Sequence, residues 1–193
     1  MFTLWTNNDP KKHELIKLIS DTFGEYFDTL PITLLTEKRP ESGSGSAELA
    51  DKHKKRIILI KGTRKDIIYS GLMKELTGCD WLTTYTSDGV VMYKPQFKMI
   101  YVCDELPVVL SDDHGTWRRF RVVAWESSTF DTNTTIDFDI KQAFMWLLLN
   151  VYYPQYYNHG LNTPIKIIQY TNNYKETNKI EINKNNQNKI LKF

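Results

Sequence analysis

The stretch KPQFKMIYVCDELPVVLSDDHGTWRRFRVV, residues 94–123, decides the fold that we predict for this chain. The apolar run 98–103 predicts a buried strand, and the carboxylate of Asp104 follows it directly. An arginine cluster then leads into a second predicted strand: Arg118, Arg119 and Arg121. Because ligands bind open α/β sheets beyond the carboxyl ends of the strands, we expect these arginines to lie near a bound ligand.

The upstream segments supply further parts of such a sheet. Residues 2–5 and 56–60 are short apolar runs, and the second is typical of a parallel strand buried on both faces. Apolar residues recur at helical spacing between positions 11 and 24, which predicts a helix there. Strand, loop and helix in this order are the parts of a phosphate-binding loop.

The composition is that of an ordinary globular domain. The chain has 193 residues, of which 41% are apolar and 25% charged, enough for one domain with a real core. No stretch approaches the roughly 18 apolar residues of a membrane span, and the apolar opening is too short for a signal peptide. We therefore expect an intracellular protein without membrane contact. The two cysteines provide neither a disulfide framework nor a metal cluster.

Several segments resemble the superfamily 3 helicases of large, nucleocytoplasmic DNA viruses, the poxvirus-type primase-helicase family. KPQFKMIYVCDELP and GTWRRFRVV are similar to its sensor and arginine-finger region, TLPITLLTEKRPESG…ELA to an earlier segment, and AFMWLLLNVYY to its lid. The resemblance implies an α/β fold: a three-layer, AAA+-like P-loop NTPase core with a central mainly parallel sheet, a β-hairpin insert and a small helical C-terminal part. We expect the ATPase core over 1–135, a helical lid-like region over 136–176 and a disordered Asn/Lys-rich tail over 177–193.

The family's P-loop pattern, G-x-x-x-x-G-K-[ST], aligns with TNNDPKKH. Lys12 falls on the lysine position, whereas Thr6 and Lys11 replace the glycines and His13 replaces the hydroxyl residue that holds magnesium. The resemblance implies that Lys12 and His13 are the nucleotide-binding positions of an eroded loop. It also implies ATP and magnesium as cofactors, bound weakly or lost.

Three further catalytic positions depart from the family. Gly62 and Arg64 stand where the family has the Walker B acids, which orient magnesium and the attacking water. Asp66 is the closest carboxylate, and we predict that it caps the following helix. Asp104 stands where the family has an asparagine that senses the γ-phosphate, and an ionised aspartate cannot donate that hydrogen bond.

The arginine cluster has two interpretations. The resemblance implies that Arg118 or Arg119 is an arginine finger, offered to the nucleotide of a neighbouring subunit in a homo- or hetero-hexamer. Alternatively, these arginines form ion pairs with nearby acids such as Glu105 and Asp113. We expect no metal at the run 112–114, because three consecutive loop residues rarely converge on one ion.

The predicted DNA contacts surround a hairpin. LMKELTGCD is similar to the family's B′ motif, with Lys74 and Asp80 at its lysine and acidic positions. TTYTSDGVVMYK predicts two strands around Asp88 and Gly89. The resemblance implies that such a hairpin contacts single-stranded or forked DNA, so Lys74, Asp88 and Lys94 are the DNA-binding candidates. An ordinary surface hairpin is the alternative, because the tip carries few basic or stacking side chains.

These observations lead to a functional hypothesis with two alternatives. We expect a degenerate superfamily 3 helicase core of viral DNA replication that no longer hydrolyses ATP and binds DNA or a helicase partner. The first alternative is an ATP-dependent DNA helicase subunit with weak activity, or one acting through its arginine finger in a mixed hexamer. The second is an unrelated structural or interaction protein, suggested by the 13% aromatic content. The expected location is the host cytoplasm or a viral replication site.

Overall fold

The computed structural model describes residues 1–7, 9–38, 47–63, 66–86, 89–126 and 138–190. Its strands are β1 (Phe2–Thr6), β2 (Phe27–Thr29), β3 (Ile57–Lys61), β4 (Ile67–Ile68), β5 (Leu82–Thr86), β6 (Gly89–Tyr93), β7 (Lys98–Val102), β8 (Val108–Val109) and β9 (Phe120–Ala124). Its α-helices are α1 (Pro10–Phe23), α2 (Thr33–Thr36), α3 (Ser70–Gly78), α4 (His114–Trp117), α5 (Phe138–Leu147), α6 (Tyr153–His159) and α7 (Ile165–Ile190). A π-helical turn, Leu148–Tyr152, joins α5 to α6, and 3-10 turns cover Gly24–Tyr26, Ala47–Leu49 and Lys52–Lys54.

The centre of the fold is a five-stranded parallel sheet in the order β2-β3-β7-β1-β9. Side chains alternate across it, so each strand contributes to two apolar layers. On one face, Phe2, Ile58 and Tyr101 belong to the larger core. On the other face, Leu59 and Val102 belong to a smaller cluster, against which Ile16 of α1 packs. Burial on both faces explains why these strands appear in the sequence as short continuous apolar runs.

The predicted α/β fold is confirmed. The central sheet is parallel, helices pack on it, and the C-terminal part is helical, which is consistent with a P-loop NTPase-like core. The predicted hairpin is also present, because β5 and β6 pair antiparallel with Leu82 opposite Tyr93 and Thr86 opposite Gly89. The tip of this hairpin, with Asp88, lies outside the described residues.

The expected disordered tail from residue 177 differs from the structure, in which α7 continues to Ile190. The side chain of Asn178, 1% exposed, accepts a hydrogen bond from the backbone nitrogen of Val109 at 2.8 Å and donates one to its carbonyl oxygen at 3.0 Å. Tyr174 donates to the Pro107 carbonyl at 2.6 Å from the same helix. These long-range contacts hold α7 on the core although its composition is polar.

A second difference concerns Asp66. It precedes the short strand β4, and α3 begins only at Ser70 with Tyr69 at its N-cap, so the predicted helix-capping role is wrong. β4 pairs in parallel with β8, a contact of two residues that leaves no periodic signal in the sequence. No helix in the described ranges is long and apolar enough to cross a membrane.

Candidate functional site

The loop between β1 and α1 is closed by its own side chains. Asp9 caps α1, and its carboxylate accepts a hydrogen bond from the backbone nitrogen of Lys11 at 2.9 Å. Pro10 is the first helical residue, where a missing N–H costs no hydrogen bond. Asn7 has a φ of 73°, in the left-handed region that asparagine tolerates better than most residues. The loop therefore turns tightly without the glycines of a P-loop.

Lys12 is fully buried within this turn. Its Nζ donates to the carbonyl oxygens of Asn7 at 2.6 Å and Cys103 at 3.2 Å, and lies 3.8 Å from Oδ1 of Asp104. A buried ammonium requires such partners, because its desolvation is otherwise expensive. Lys12 thus ties the loop to the carboxyl end of β7, where the predicted sensor residue Asp104 is 56% exposed.

A cavity of about 670 Å³ lies between α1 and the carboxyl ends of β2, β3 and β7. This volume is in the range of small-molecule sites, and the position is where open α/β sheets bind ligands. Its lining combines apolar groups with basic ones: Lys12, His13, Ile16, Lys17, Ser20, Phe27, Thr29, Leu59, Lys61, Gly62, Thr63, Val102, Cys103 and Asp104. The structure therefore brings the predicted positions Lys12, His13 and Asp104 together at one site.

Gly62, at one aligned Walker B position, has no room for a side chain. A Cβ placed there would lie 2.5 Å from Cζ of Tyr101 and closer still to its hydroxyl oxygen. The backbone nitrogen of Gly62 also donates to the Val102 carbonyl at 2.7 Å, which holds the two strand ends together. The tyrosine ring fills the space that an acidic side chain would need. The second aligned position, Arg64, lies outside the described residues.

Asp66, the carboxylate closest to Gly62 along the chain, is held by the same Tyr101 side chain. It accepts hydrogen bonds from the Tyr101 hydroxyl, from the hydroxyl of Thr63 and from the Thr63 backbone nitrogen at 2.6 Å. Burial, reinforced by the Asp66 carboxylate, raises the pKa of Tyr101 well above its usual value, so the phenol stays protonated and keeps donating. Sequence reasoning missed Tyr101, because its ring meets Gly62 only through the pairing of β3 with β7.

The arginine cluster lies at the opposite end of the sheet from this cavity. Phe2 pairs with Phe120 in parallel, and the Phe2 backbone nitrogen donates to the Arg119 carbonyl at 2.9 Å. Arg118 and Arg119 thus precede β9 at the amino end of the sheet, roughly 15 Å from the carboxyl end for strands of this length. The structure therefore does not place them beside the cavity at the carboxyl ends of the strands. They precede a strand, whereas the ligand rule concerns residues that follow one.

Backbone carbonyls rather than the predicted acids hold these arginines. Nη1 of Arg119 donates to the Gly115 carbonyl, and Nη1 of Arg121 donates to the carbonyls of Phe120 at 2.6 Å and Arg118 at 3.2 Å. The Arg118 side chain is exposed. Across the described ranges, no ion pair joins this cluster to the candidate acids Glu105, Asp112 and Asp113.

Asp113 is engaged in a local structural role. Its carboxylate caps α4 by accepting from the Thr116 backbone nitrogen at 2.8 Å, and it lies 3.3 Å from Nζ of Lys74. Hydrogen bonds from Ser111, then from Thr116, hold the pKa of Asp113 well below its usual range. The predicted DNA-binding residue Lys74 is therefore paired with a carboxylate. In the described part of the chain, no cluster of three or more His, Cys, Asp or Glu side chains could hold a metal ion.

The hairpin presents an apolar outer face. Nζ of Lys94 lies 5.3 Å from the ring centroid of Trp81, a side chain that is 65% exposed. The alternation of the strands places Tyr85, Val90 and Met92 on that same face, and all three are exposed. Trp81 was not among the predicted site residues. In the sequence, the period-two alternation across 81, 83 and 85 indicates that this tryptophan lies on the outer face of the hairpin.

The fold and the site define an α/β protein of P-loop NTPase-like architecture with a closed β1–α1 loop. No protein-family model matches the chain. It is 36% identical over 189 residues to "Putative helicase L207/L206" of Acanthamoeba polyphaga mimivirus, an alignment covering 86% of this chain and 20% of that protein. It is 25% identical over 181 residues to "Putative helicase 184R" of Invertebrate iridescent virus 6, covering 77% and 18%. It is 30% identical over 118 residues to "Putative helicase 022R" of Frog virus 3, covering 57% and 12%.

The chain thus spans about a fifth or less of the length of these helicase-named relatives. Among solved structures, the apo C-terminal region of NrS-1, residues 305–718, is similar at a TM-score of 0.48 and 16% sequence identity. That similarity covers 75% of this chain and 33% of the solved one. The chain is therefore similar to a segment of proteins that are named as helicases in three viruses.

Proposed function

We propose that this chain is a superfamily 3 helicase-like protein of viral DNA replication, a degenerate core that no longer hydrolyses ATP and that binds DNA or a helicase partner. The viral relatives named as helicases support the class of protein. The loss of hydrolysis is inferred chiefly from the Tyr101 ring, which fills the space that a side chain at position 62 would need. The proposed location is the host cytoplasm or a viral replication site.

The residues at the candidate site do not fit a magnesium nucleotide. A metal-bound triphosphate needs a hydroxyl ligand from the loop and an acid at the end of β3. His13 and Gly62 occupy those positions, and neither supplies a side-chain oxygen. Asp66 is already held by Tyr101 and Thr63. We therefore propose that this chain binds ATP and magnesium weakly or not at all.

Titration calorimetry with ATP and a non-hydrolysable analogue, each with and without magnesium, tests this proposal together with an ATPase assay. The matched variant is Lys12→Met, which keeps an apolar stem in the buried position. We expect no magnesium-dependent hydrolysis above the level of Lys12→Met. A wild-type rate well above that variant would overturn the proposal, because it would require a competent site in this chain.

A mixed hexamer is the second candidate function. The exposed Arg118 lies at the amino end of the sheet, where it faces away from the cavity of its own chain. In that arrangement it would serve a neighbouring subunit as an arginine finger. The test is to mix the chain with an intact viral helicase. Assembly by mass photometry, and an ATPase rate that falls by orders of magnitude with Arg118→Ala, are the expected results. An unchanged rate would contradict this candidate.

A further inference from the structure

Neighbouring strands of the central sheet begin beside basic residues. Arg56 directly precedes β3, Lys98 is the first residue of β7, and Arg118 and Arg121 flank the start of β9. We call these four residues the basic edge. Arg119 is not one of them, because its Nε is buried and its Nη1 donates to the Gly115 carbonyl.

The sheet brings the basic edge to one end of the fold. The backbone nitrogen of Lys98 donates to the Arg56 carbonyl at 2.8 Å, and β1 alone separates β7 from β9. Neighbouring strands lie about 4.8 Å apart, so the distance from β3 to β9 is roughly 15 Å. After the effect of burial, the charges of Lys98, Arg119 and Arg121 lower the pKa of the Met1 amino group. Lys98 and Arg121 of the edge therefore both act on the region beside the start of β1.

Carboxylates of the described residues do not pair with the basic edge. Nη1 of Arg56 donates to the carbonyls of Lys54 at 3.0 Å and Lys55 at 3.1 Å, contacts that orient the guanidinium but leave its charge. Considering the described residues alone, none of the four cations of the edge forms an ion pair.

Several other basic groups are paired with carboxylates. Lys52 and Lys55 both lie against Asp28, at 2.9 Å and 3.3 Å. Lys12 and Lys74 likewise have carboxylates, those of Asp104 and Asp113. In the described ranges, the basic edge is thus a group of cations at the amino end of the sheet that no carboxylate pairs with.

We propose that the basic edge binds the phosphate backbone of single-stranded DNA. Four cations spread along about 15 Å of one sheet edge fit a linear polyanion better than a single phosphate group. Arginine, which supplies three of the four cations, matches phosphate geometry through its planar guanidinium. The choice of DNA rests on the proposed function, which this inference deepens by locating a contact surface outside the cavity and the hairpin.

The test is fluorescence anisotropy of a labelled single-stranded oligonucleotide over a series of salt concentrations. The same titration with the duplex of that oligonucleotide is the comparison. The edge variant is Arg56→Gln/Lys98→Gln, and a second is Lys98→Gln/Arg121→Gln. The matched control is Lys166→Gln/Lys179→Gln on α7, which removes two exposed cations far from the edge along the chain. Circular dichroism verifies that each variant is folded.

We expect each edge variant to bind the single strand at least tenfold more weakly than wild type. The slope of log affinity against log salt concentration is negative, and its magnitude should decrease by about 0.7 for each phosphate contact removed. The control should bind as wild type does. Wild-type affinity in both edge variants, an equal loss in the control, tighter binding to the duplex, or no binding by wild type would overturn the inference. The proposed function fails separately, through ATP hydrolysis by the wild-type chain.

Discussion

The ring of Tyr101 occupies the space that a side chain at Gly62 would need, so the identities of these two residues are coupled. Tyr101 also donates to Asp66, the carboxylate closest to Gly62 along the chain. An acidic side chain at position 62 would therefore clash with the Tyr101 ring. Placing an acid there would need changes at both positions.

The first prediction concerns this contact. Gly62→Ala should lower the free energy of unfolding by about 1–3 kcal/mol, because an inserted methyl group overpacks the site. The same substitution in a Tyr101→Val background should cost less, since the ring is gone. Urea unfolding measures both, with Gly71→Ala as the control at a glycine where a Cβ meets nothing within 4 Å. Equal costs in the two backgrounds would show that the residues are independent.

The second prediction concerns the anchor of α7. Asn178→Ala leaves the backbone nitrogen of Val109 buried without this partner, which should cost about 1–3 kcal/mol. The Val109 carbonyl keeps a hydrogen bond from the Ser111 backbone nitrogen at 2.8 Å. We expect a lower melting temperature and faster proteolysis within α7. The neighbouring exposed residue supplies the control, Thr177→Ala. If both variants melt alike, Asn178 does not anchor the helix.

The third prediction concerns pH. The pKa of Asp113 is lowered in the folded chain, so its contribution to stability is complete above the ordinary carboxyl range and is lost as the pH falls below about 4. Asp113→Ala removes the cap of α4 and should cost about 1 kcal/mol at pH 7. The difference in free energy of unfolding between Asp113→Ala and wild type should shrink toward pH 2. Unfolding midpoints at several pH values measure this difference, with Asp112→Ala as the control. A difference that stays constant with pH would contradict the stabilising role of the Asp113 carboxylate.

The fourth prediction concerns the two free thiols. Cys79 is exposed, whereas Cys103 is buried and burial raises its pKa to about 11. A thiol reagent at pH 8 should therefore modify Cys79 quickly and Cys103 only on unfolding, because the thiolate is the reactive form. Mass spectrometry of the native and urea-unfolded chain distinguishes the sites, and Cys79→Ser is the control. Rapid labelling of Cys103 in the native chain would contradict the burial.

Local signals were sufficient to predict the sheet and the hairpin. The runs at β1, β3 and β7 are apolar because both faces of those strands are buried, and Asp88-Gly89 indicated the turn between β5 and β6. The strand–loop–helix order similarly indicated where Lys12 would lie. These features depend on residues close together in the chain, which is why sequence patterns report them.

The missed features depend on pairings between distant residues. Which end of the sheet Arg118 occupies is decided by the parallel pairing of β9 with β1. Asn178 belongs to the folded core because it binds the backbone of Val109. Asp66 is held in place because it accepts a hydrogen bond from Tyr101. No local periodicity encodes such contacts, so composition alone wrongly favoured disorder for the polar half of α7.

The position of β1 has a consequence for the order of folding. Phe2 pairs with Met99 on one side and Phe120 on the other, so the strand made first lies between two made much later. During synthesis from the amino terminus, β1 and its apolar side chains must wait for most of the chain before they gain neighbours. Folding with such distant contacts is slow, and an unpaired strand is exposed to association in the meantime. Translation speed and chaperone supply should therefore influence the yield of this protein.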